Sequence, residues 1–245
     1  MDVVEGVDAL RPGHGPIFAV IGVFDGLHLG HAYLLEHLAR EAAAHQARPT
    51  VITFDHHPDE VLTGSAPPLL LDPAERLQRL ADAGVGVVVI QPFDDKVRRT
   101  PYDAFVDGIR ARTALAGLLM TPDAAFGYER RGTAVAVGEL ARDRGFELVV
   151  VPPFTLHGNP VSSTSIRNAI AGGDLAGAER LLGRPVGFRG RAENGRVPFD
   201  LPMAMPPDGT YRCTIDGRPA TVTVDGAALR VDPALDGPVD VRFLA

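Results

Sequence analysis

The chain has 245 residues, 45% hydrophobic and 22% charged, with a formal net charge of −7. That is enough apolar material for one large domain, or one domain and a small appendage, and it excludes a disordered chain. The acidic balance argues against nucleic acid as a partner and against a polybasic membrane anchor. The single cysteine, Cys213, excludes an intrachain disulfide and any cysteine-cluster metal site.

The first residues, Met1-Asp2-Val3-Val4-Glu5, are acidic and carry no apolar run behind them, so no signal peptide is expected. The longest apolar stretches, such as 87–90, fall far short of a membrane span. A reducing, cytoplasmic setting is the expectation. β-Branched runs at 17–23, 50–54, 85–90, 115–120 and 147–151 read as buried strands. Helical patterns lie between them at 31–45, 73–83, 101–113 and 133–144. Leu34, Leu35, Leu38, Ala39 and Ala42 give the first of these an apolar stripe. Pro73 and Pro101 stand at helix starts, where a missing N–H costs nothing. Such alternation predicts an α/β fold with a doubly wound parallel sheet.

Beyond Ser162 the pattern changes. Two consecutive helices are expected at 163–171 and 174–182. After Gly183 come short alternating runs at 210–215, 220–224, 228–231 and 239–243. They predict a small C-terminal antiparallel β module. The expected division is 1–184 and 185–245.

Lys96 is the only lysine, and its neighbours Asp94, Asp95 and Val97 form no Gly-rich turn, so a Walker A loop is excluded. No Gly-x-Gly-x-x-Gly follows a strand, so a nicotinamide-type fingerprint is missing as well. Instead Gly22-Val23-Phe24-Asp25-Gly26-Leu27-His28-Leu29-Gly30-His31 joins the first strand to the first helix. Two histidines three apart at a helix N-terminus aim donors and backbone N–H groups at one anion. Gly22, Gly26 and Gly30 allow close backbone approach. A tight turn capped by histidines is the plain alternative. Zinc at His28 and His31 would need further ligands, and the adjacent His56 and His57 point to opposite faces of a strand.

A second motif, Val161-Ser162-Ser163-Thr164-Ser165-Ile166-Arg167, crowds hydroxyls and an arginine at a helix start, a phosphate-binding arrangement. One hydroxyl would serve an ordinary N-cap; this run exceeds that need. Both motifs follow strands, so both can face one end of the sheet and form a polyphosphate site without lysine. Phe54-Asp55-His56-His57-Pro58 follows the second strand. Asp123-Ala124-Ala125-Phe126-Gly127 follows the fourth, where an aromatic can stack on a planar ligand or simply fill the core.

These segments, with Asp174-Leu175-Ala176-Gly177-Ala178-Glu179-Arg180-Leu181-Leu182-Gly183-Arg184-Pro185, resemble the FAD synthetase half of the bacterial bifunctional riboflavin kinase/FAD synthetase family, over about residues 15–190. That half is a Rossmann-like nucleotidylyltransferase with a His-x-Gly-His signature. The resemblance implies adenylyl transfer from ATP to FMN, with Mg²⁺ carried on the ATP phosphates and no metal ligands from the protein. It implies catalytic roles for His28, His31 and Arg167. Gly22, Phe24, Asp25, Gly26, Gly30, Ser163 and Thr164 would bind the nucleotide. Phe54, His57, Pro58, Asp123 and Phe126 would bind the flavin. Thr121 and Ala124 depart from the family's glycine and aromatic, and His56 replaces a usual proline.

In the tail the kinase motif Phe-Pro-Thr-Ala-Asn is matched only by Leu201-Pro202-Met203-Ala204-Met205, and methionine is no ligand for Mg²⁺. The tail is short for the kinase half, and its only glutamate, Glu193, precedes that motif. A degenerate kinase-like module is therefore expected. The alternatives are nucleotidyl transfer to another phosphorylated acceptor, or a flavin- or nucleotide-binding protein without catalysis. The oligomeric state is not legible.

Overall fold

The computed structural model describes residues 1–232 and 234–244. Pro233 and Ala245, both within the expected C-terminal module, lie outside the described residues. In chain order the first elements are β1 (Asp2–Glu5), β2 (Ile17–Ile21), α1 (Leu29–Ala44), β3 (Arg48–Phe54), α2 (Pro58–Thr63), α3 (Pro73–Asp82), β4 (Val87–Gln91), α4 (Asp95–Arg98), α5 (Tyr102–Arg110) and β5 (Leu115–Met120). A two-residue hairpin of β6 (Ala125–Phe126) and β7 (Gly132–Thr133) precedes α6 (Ala134–Arg144) and β8 (Glu147–Val150). A second small hairpin, β9 (Thr155–Leu156) and β10 (Asn159–Pro160), leads to α7 (Ser163–Ala171) and α8 (Leu175–Leu182). The tail holds β11 (Gly187–Ala192), β12 (Arg196–Val197), β13 (Gly209–Ile215), β14 (Arg218–Asp225), β15 (Ala228–Asp232) and β16 (Gly237–Phe243).

The first sheet is six-stranded, in the order β1-β4-β3-β2-β5-β8. Every pairing in it is parallel. Its central strands are apolar on both faces because helices cover both: β2 reads Ile17, Phe18, Ala19 and Val20 with none more than 2% exposed. From β2 the chain steps one way through β3 to β4, then crosses back to β5 on the other side of β2. Right-handed crossovers in opposite directions put helices on opposite faces, which makes the sheet doubly wound. Strand order reverses between β2 and β5, the place where such sheets bind ligands.

The second sheet runs β11-β16-β13-β14-β15-β12 and is antiparallel throughout. A bridge from Glu193 to Arg196 joins its first and last strands, so it nearly closes into a barrel. Residues alternate in and out: Cys213 and Ile215, Val222 and Val224, and Val239, Val241 and Phe243 fill the interior. Burial pushes the Cys213 thiol pKa up, which makes it an inert core residue.

By compactness the chain forms two units. One is Met1–Phe24, His31–Ala66 and Leu77–Phe154; the other is Asp25–Gly30, Pro67–Arg76 and Thr155–Ala245. The six-stranded sheets change from parallel to antiparallel pairing between β8 and β11. Compactness instead groups α7, α8 and two short earlier segments with the second sheet. Within the second unit, Glu75 at the start of α3 has a side chain 1% exposed and accepts from Arg242 Nη2 on β16 at 3.1 Å. Arg189 on β11 stands 3.9 Å away.

Removing one member of a buried ion pair strands the other charge without its solvent. Arg242→Met is expected to cost about 3–5 kcal/mol of unfolding free energy in urea denaturation. The double variant Glu75→Leu/Arg242→Met is expected to recover most of that. A single variant within about 0.5 kcal/mol of wild type would show that the pair contributes nothing.

Candidate active site

In the first unit a cavity of about 800 Å³ opens at the carboxyl ends of β2 and β5. Its walls include Gly22 and Val23 after β2, Phe54 and Pro58 around the end of β3, and Thr121, Asp123, Ala124 and Phe126 after β5. Phe54 meets Phe93 edge-on at 5.2 Å, and Phe126 meets Phe105 at 6.1 Å, so the aromatic walls are braced by other rings. Phe126 thus lines the cavity and packs on the core at once. Asp123 is exposed, and Arg98 and Arg130 also contribute to the walls. Phe54, Pro58, Asp123 and Phe126 therefore share one cavity. His57 is absent from its walls: its Nδ1 accepts the Asp59 N–H at 3.2 Å and caps α2, with Pro58 at the first helical position.

The Gly-rich segment turns sharply between β2 and α1. Phe24, Gly26 and Leu27 have φ of 54°, 81° and 36°, so the chain lies in the left-handed region at each. Phe24 is 2% exposed, and its ring lies 5.0 Å from that of His31. A Cβ on Gly22 would sit 3.1 Å from the Phe24 ring. In the first unit, then, Gly22 makes room for a ring that packs against His31.

The rest of the motif belongs to the second unit. Asp25 is 2% exposed, and its carboxylate takes N–H groups from Leu70 (3.0 Å) and Leu71 (3.2 Å) and Nη2 of Arg167 (2.6 Å). Arg167 Nε donates to the Pro68 carbonyl at 2.8 Å. The turn leaves its own carbonyls without ladder partners, and outside donors satisfy them. Ser163 Oγ donates to the Asp25 carbonyl at 2.9 Å, and Arg184 donates to the carbonyls of Gly26 and Leu27, the latter at 3.1 Å. Sequence reasoning gave Arg184 no role. Its signals were its place in the stretch 174–185 that carries the resemblance and its position just after the αL cap Gly183 that ends α8.

Ser162 and Ser165 form a capping box on α7. Of the hydroxyl run, Ser162, Ser163 and Ser165 therefore have protein partners, and Thr164 is exposed in the first turn. A Cβ on Gly26 would meet Leu70 Cδ1 at 2.7 Å; one on Gly30 would stand 3.1 Å from both the His28 ring and the Val161 carbonyl. These glycines let the protein's own side chains approach the turn.

His28 is 4% exposed. Burial, with the positive charges of Arg184 and Arg167, lowers its pKa to about 4. At neutral pH it is an uncharged imidazole beside two guanidinium groups. Among the described residues no three His, Cys, Asp or Glu side chains are grouped to hold a metal. Nor, among the described residues, is any helix long and apolar enough to cross a membrane.

The depressed pKa has a signed consequence. Below pH 6.5 the unfolded chain takes a proton that folded His28 refuses until about pH 4, so stability present above 6.5 is lost as pH falls through that window. Urea unfolding at pH 7.5 and 5.0 should show a loss that His28→Gln reduces; equal losses would assign the acid sensitivity elsewhere. Separately, Gly30→Ala should push the His28 ring by a few tenths of an ångström, seen as a changed His28 imidazole NMR signal, while the fold is kept.

The family model described as FAD synthetase matches residues 11–165. The bifunctional riboflavin kinase/FMN adenylyltransferase of Pseudomonas fluorescens is 34% identical over 80% of this chain, and that of Escherichia coli K12 is 31% identical over 80%. The chain covers 63% of the length of each. In fold it is similar to a protein described as a macrolide-efflux protein from Streptococcus pneumoniae. There the TM-score is 0.81 at 23% identity, over 99% of this chain and 89% of that one. The chain belongs to the FAD synthetase family.

Proposed function

We propose that the chain is an FMN adenylyltransferase that forms FAD and pyrophosphate from MgATP and FMN. The observation that carries the reading is the arrangement around residues 25–30: a buried, neutral His28 within the field of Arg184 and Arg167, at the start of a sixteen-residue helix. That arrangement suits a polyphosphate and uses no lysine. A phosphate oxygen of FMN attacks the α-phosphorus of ATP, the bond from that phosphorus to the bridging oxygen breaks, and pyrophosphate departs with the electron pair.

In this reading His28 and His31 donate to oxygens that gain charge, and Arg167, Ser163 and Thr164 hold the leaving pyrophosphate. Arg167 Nη1 makes no bond among the described residues, so the guanidinium can serve Asp25 and a phosphate together. Gly22, Phe24, Asp25, Gly26 and Gly30 shape the turn that receives the nucleotide. Mg²⁺ enters as part of the substrate. The aromatic-walled cavity is sized for a flavin ring, with Phe54, Pro58 and Phe126 against its faces and Asp123 at its polar edge; His57 acts by capping α2. Residues 1–184 carry this activity, and 185–245 form a kinase-like module without phosphorylating activity. The setting is the cytoplasm, and neither nucleic acid nor membrane takes part. A second reading, transfer to a different phosphorylated acceptor, is favoured by Thr121 and Ala124, which line the cavity where the family carries a glycine and an aromatic.

Chromatography of reactions with MgATP should show FAD and pyrophosphate from FMN and no FMN from riboflavin. Pyrophosphate release with another acceptor and none with FMN would favour the second reading; phosphorylation of riboflavin would refute the inactive tail. His28→Ala and His31→Ala should lower kcat by about a hundredfold or more while ATP affinity changes less. Arg167→Ala should lower both rate and ATP affinity, and wild-type kinetics would remove it from the phosphate site.

A further inference from the structure

The tail segment that stands in place of the kinase motif makes a specific contact within the second unit. Leu69 N–H donates to the Pro202 carbonyl at 2.8 Å, and Ala204 N–H donates to the Leu69 carbonyl at 2.8 Å, a parallel bridge of Leu69 with Met203. Ala204 is 5% exposed, so its N–H is sheltered and needs that partner. The residues on either side of Leu69 are the ones that hold the buried ion pair. The Pro68 carbonyl receives Arg167, and the Leu70 and Leu71 N–H groups bind Asp25. Leu69 stands between Pro68 and Leu70 in the chain. Its two backbone bonds to 202–204 fix the plane of the peptides that hold the pair.

We propose that Pro202–Met203–Ala204 is a positioning clamp: by pairing with Leu69 it holds Pro68, Leu70 and Leu71 where they lock Asp25 to Arg167, and so sets the Arg167 guanidinium for the nucleotide's phosphates. The inference rests on the functional reading above and gives the degenerate motif a role that needs backbone groups only. Met203 and Met205 are compatible with that role because a bridge is read through N–H and C=O.

The test is amide hydrogen exchange with MgATP binding, on the full chain. In the wild type, the Leu69, Leu70, Leu71 and Ala204 amides should exchange as one unit, and saturating MgATP should slow all four, since binding and ordering are linked reciprocally. Ala204→Pro deletes one clamp bond. It should speed exchange of the Leu70 and Leu71 amides at least tenfold and weaken MgATP binding at least tenfold. In an Arg167→Met background the same substitution should change MgATP affinity by less than twofold. Val222→Ala, a core change in β14, is the stability control and should keep MgATP affinity within twofold.

Four outcomes overturn the clamp. They are unchanged Leu70 and Leu71 exchange in Ala204→Pro, unchanged affinity there, equal affinity losses in Val222→Ala, and wild-type Leu69 and Ala204 amides that MgATP does not slow. The last needs no variant to fold. A wild type that binds no MgATP overturns the functional reading itself and takes the clamp's role with it. Intact wild-type binding with an unaffected variant overturns the clamp alone.

Discussion

A carboxylate with almost no solvent must be given its hydrogen bonds by the protein, and the second unit is arranged around one. Asp25 is held by two backbone N–H groups and by Arg167. An isolated buried charge of this kind would cost several kcal/mol. With three donors converging on it, the same group becomes an organiser that ties together segments far apart in sequence, at 25, 68–71 and 167. Each depends on the others: Arg167 needs Asp25 to be buried, and the loop at 68–71 needs Asp25 to satisfy its N–H groups.

The electrostatics of the turn follow from this. Left-handed backbone at Phe24, Gly26 and Leu27 leaves carbonyls outside any ladder, and Ser163 and Arg184 supply their donors. Burial, with the charges of Arg184 and Arg167 added to it, keeps the His28 imidazole uncharged. Under the proposed function, an anion arriving there would meet hydrogen-bond donors that need little rearrangement, which is how a site gains from preorganisation. Lysine is not required: a planar guanidinium binds a carboxylate or carbonyl at one edge and keeps donors for a phosphate at another.

The first unit solves a different problem. Reversal of strand order between β2 and β5 leaves a gap that no crossover helix covers, and aromatic side chains line it. Phe54 and Phe126 each rest edge-on against a further ring, so the cavity walls are extensions of the core. Ala124 in that wall leaves the volume that an aromatic would take.

Local pattern in the sequence determined the parallel sheet, because a strand buried on both faces must be largely apolar, as β2, β4, β5 and the inner part of β3 are; β8, expected to be buried too, lies at the sheet edge with Glu147 and Val150 exposed. Helices α1, α3, α5 and α6, and α7 to within a residue, follow from periodicity and from the Pro and Ser that start several of them; the short α2 and α4 were not expected. Three strands of the six-stranded sheets escaped: β1, β11 and the two-residue β12. β1 is a Val3–Val4 pair among acids, and β11 carries Gly187 and Gly190 where side chains would mark an alternation; Phe188 and Ala192 inside, with Arg189 and Arg191 outside, was the remaining trace. The residue types at the site were legible for the same local reason: a glycine-rich turn with His28 and His31, and hydroxyls with Arg167 at a helix start. Their partners were not. That Asp25 binds Leu70 and Leu71, that Arg184 holds the carbonyls of Gly26 and Leu27, and that Leu69 pairs across to 202–204 are long-range matches between a donor and an acceptor. Every residue but proline carries a backbone N–H and every residue a C=O, so no residue type announces which will meet. Only the tertiary structure chooses among them, by bringing distant segments within 3 Å and removing the water that would otherwise satisfy each one alone.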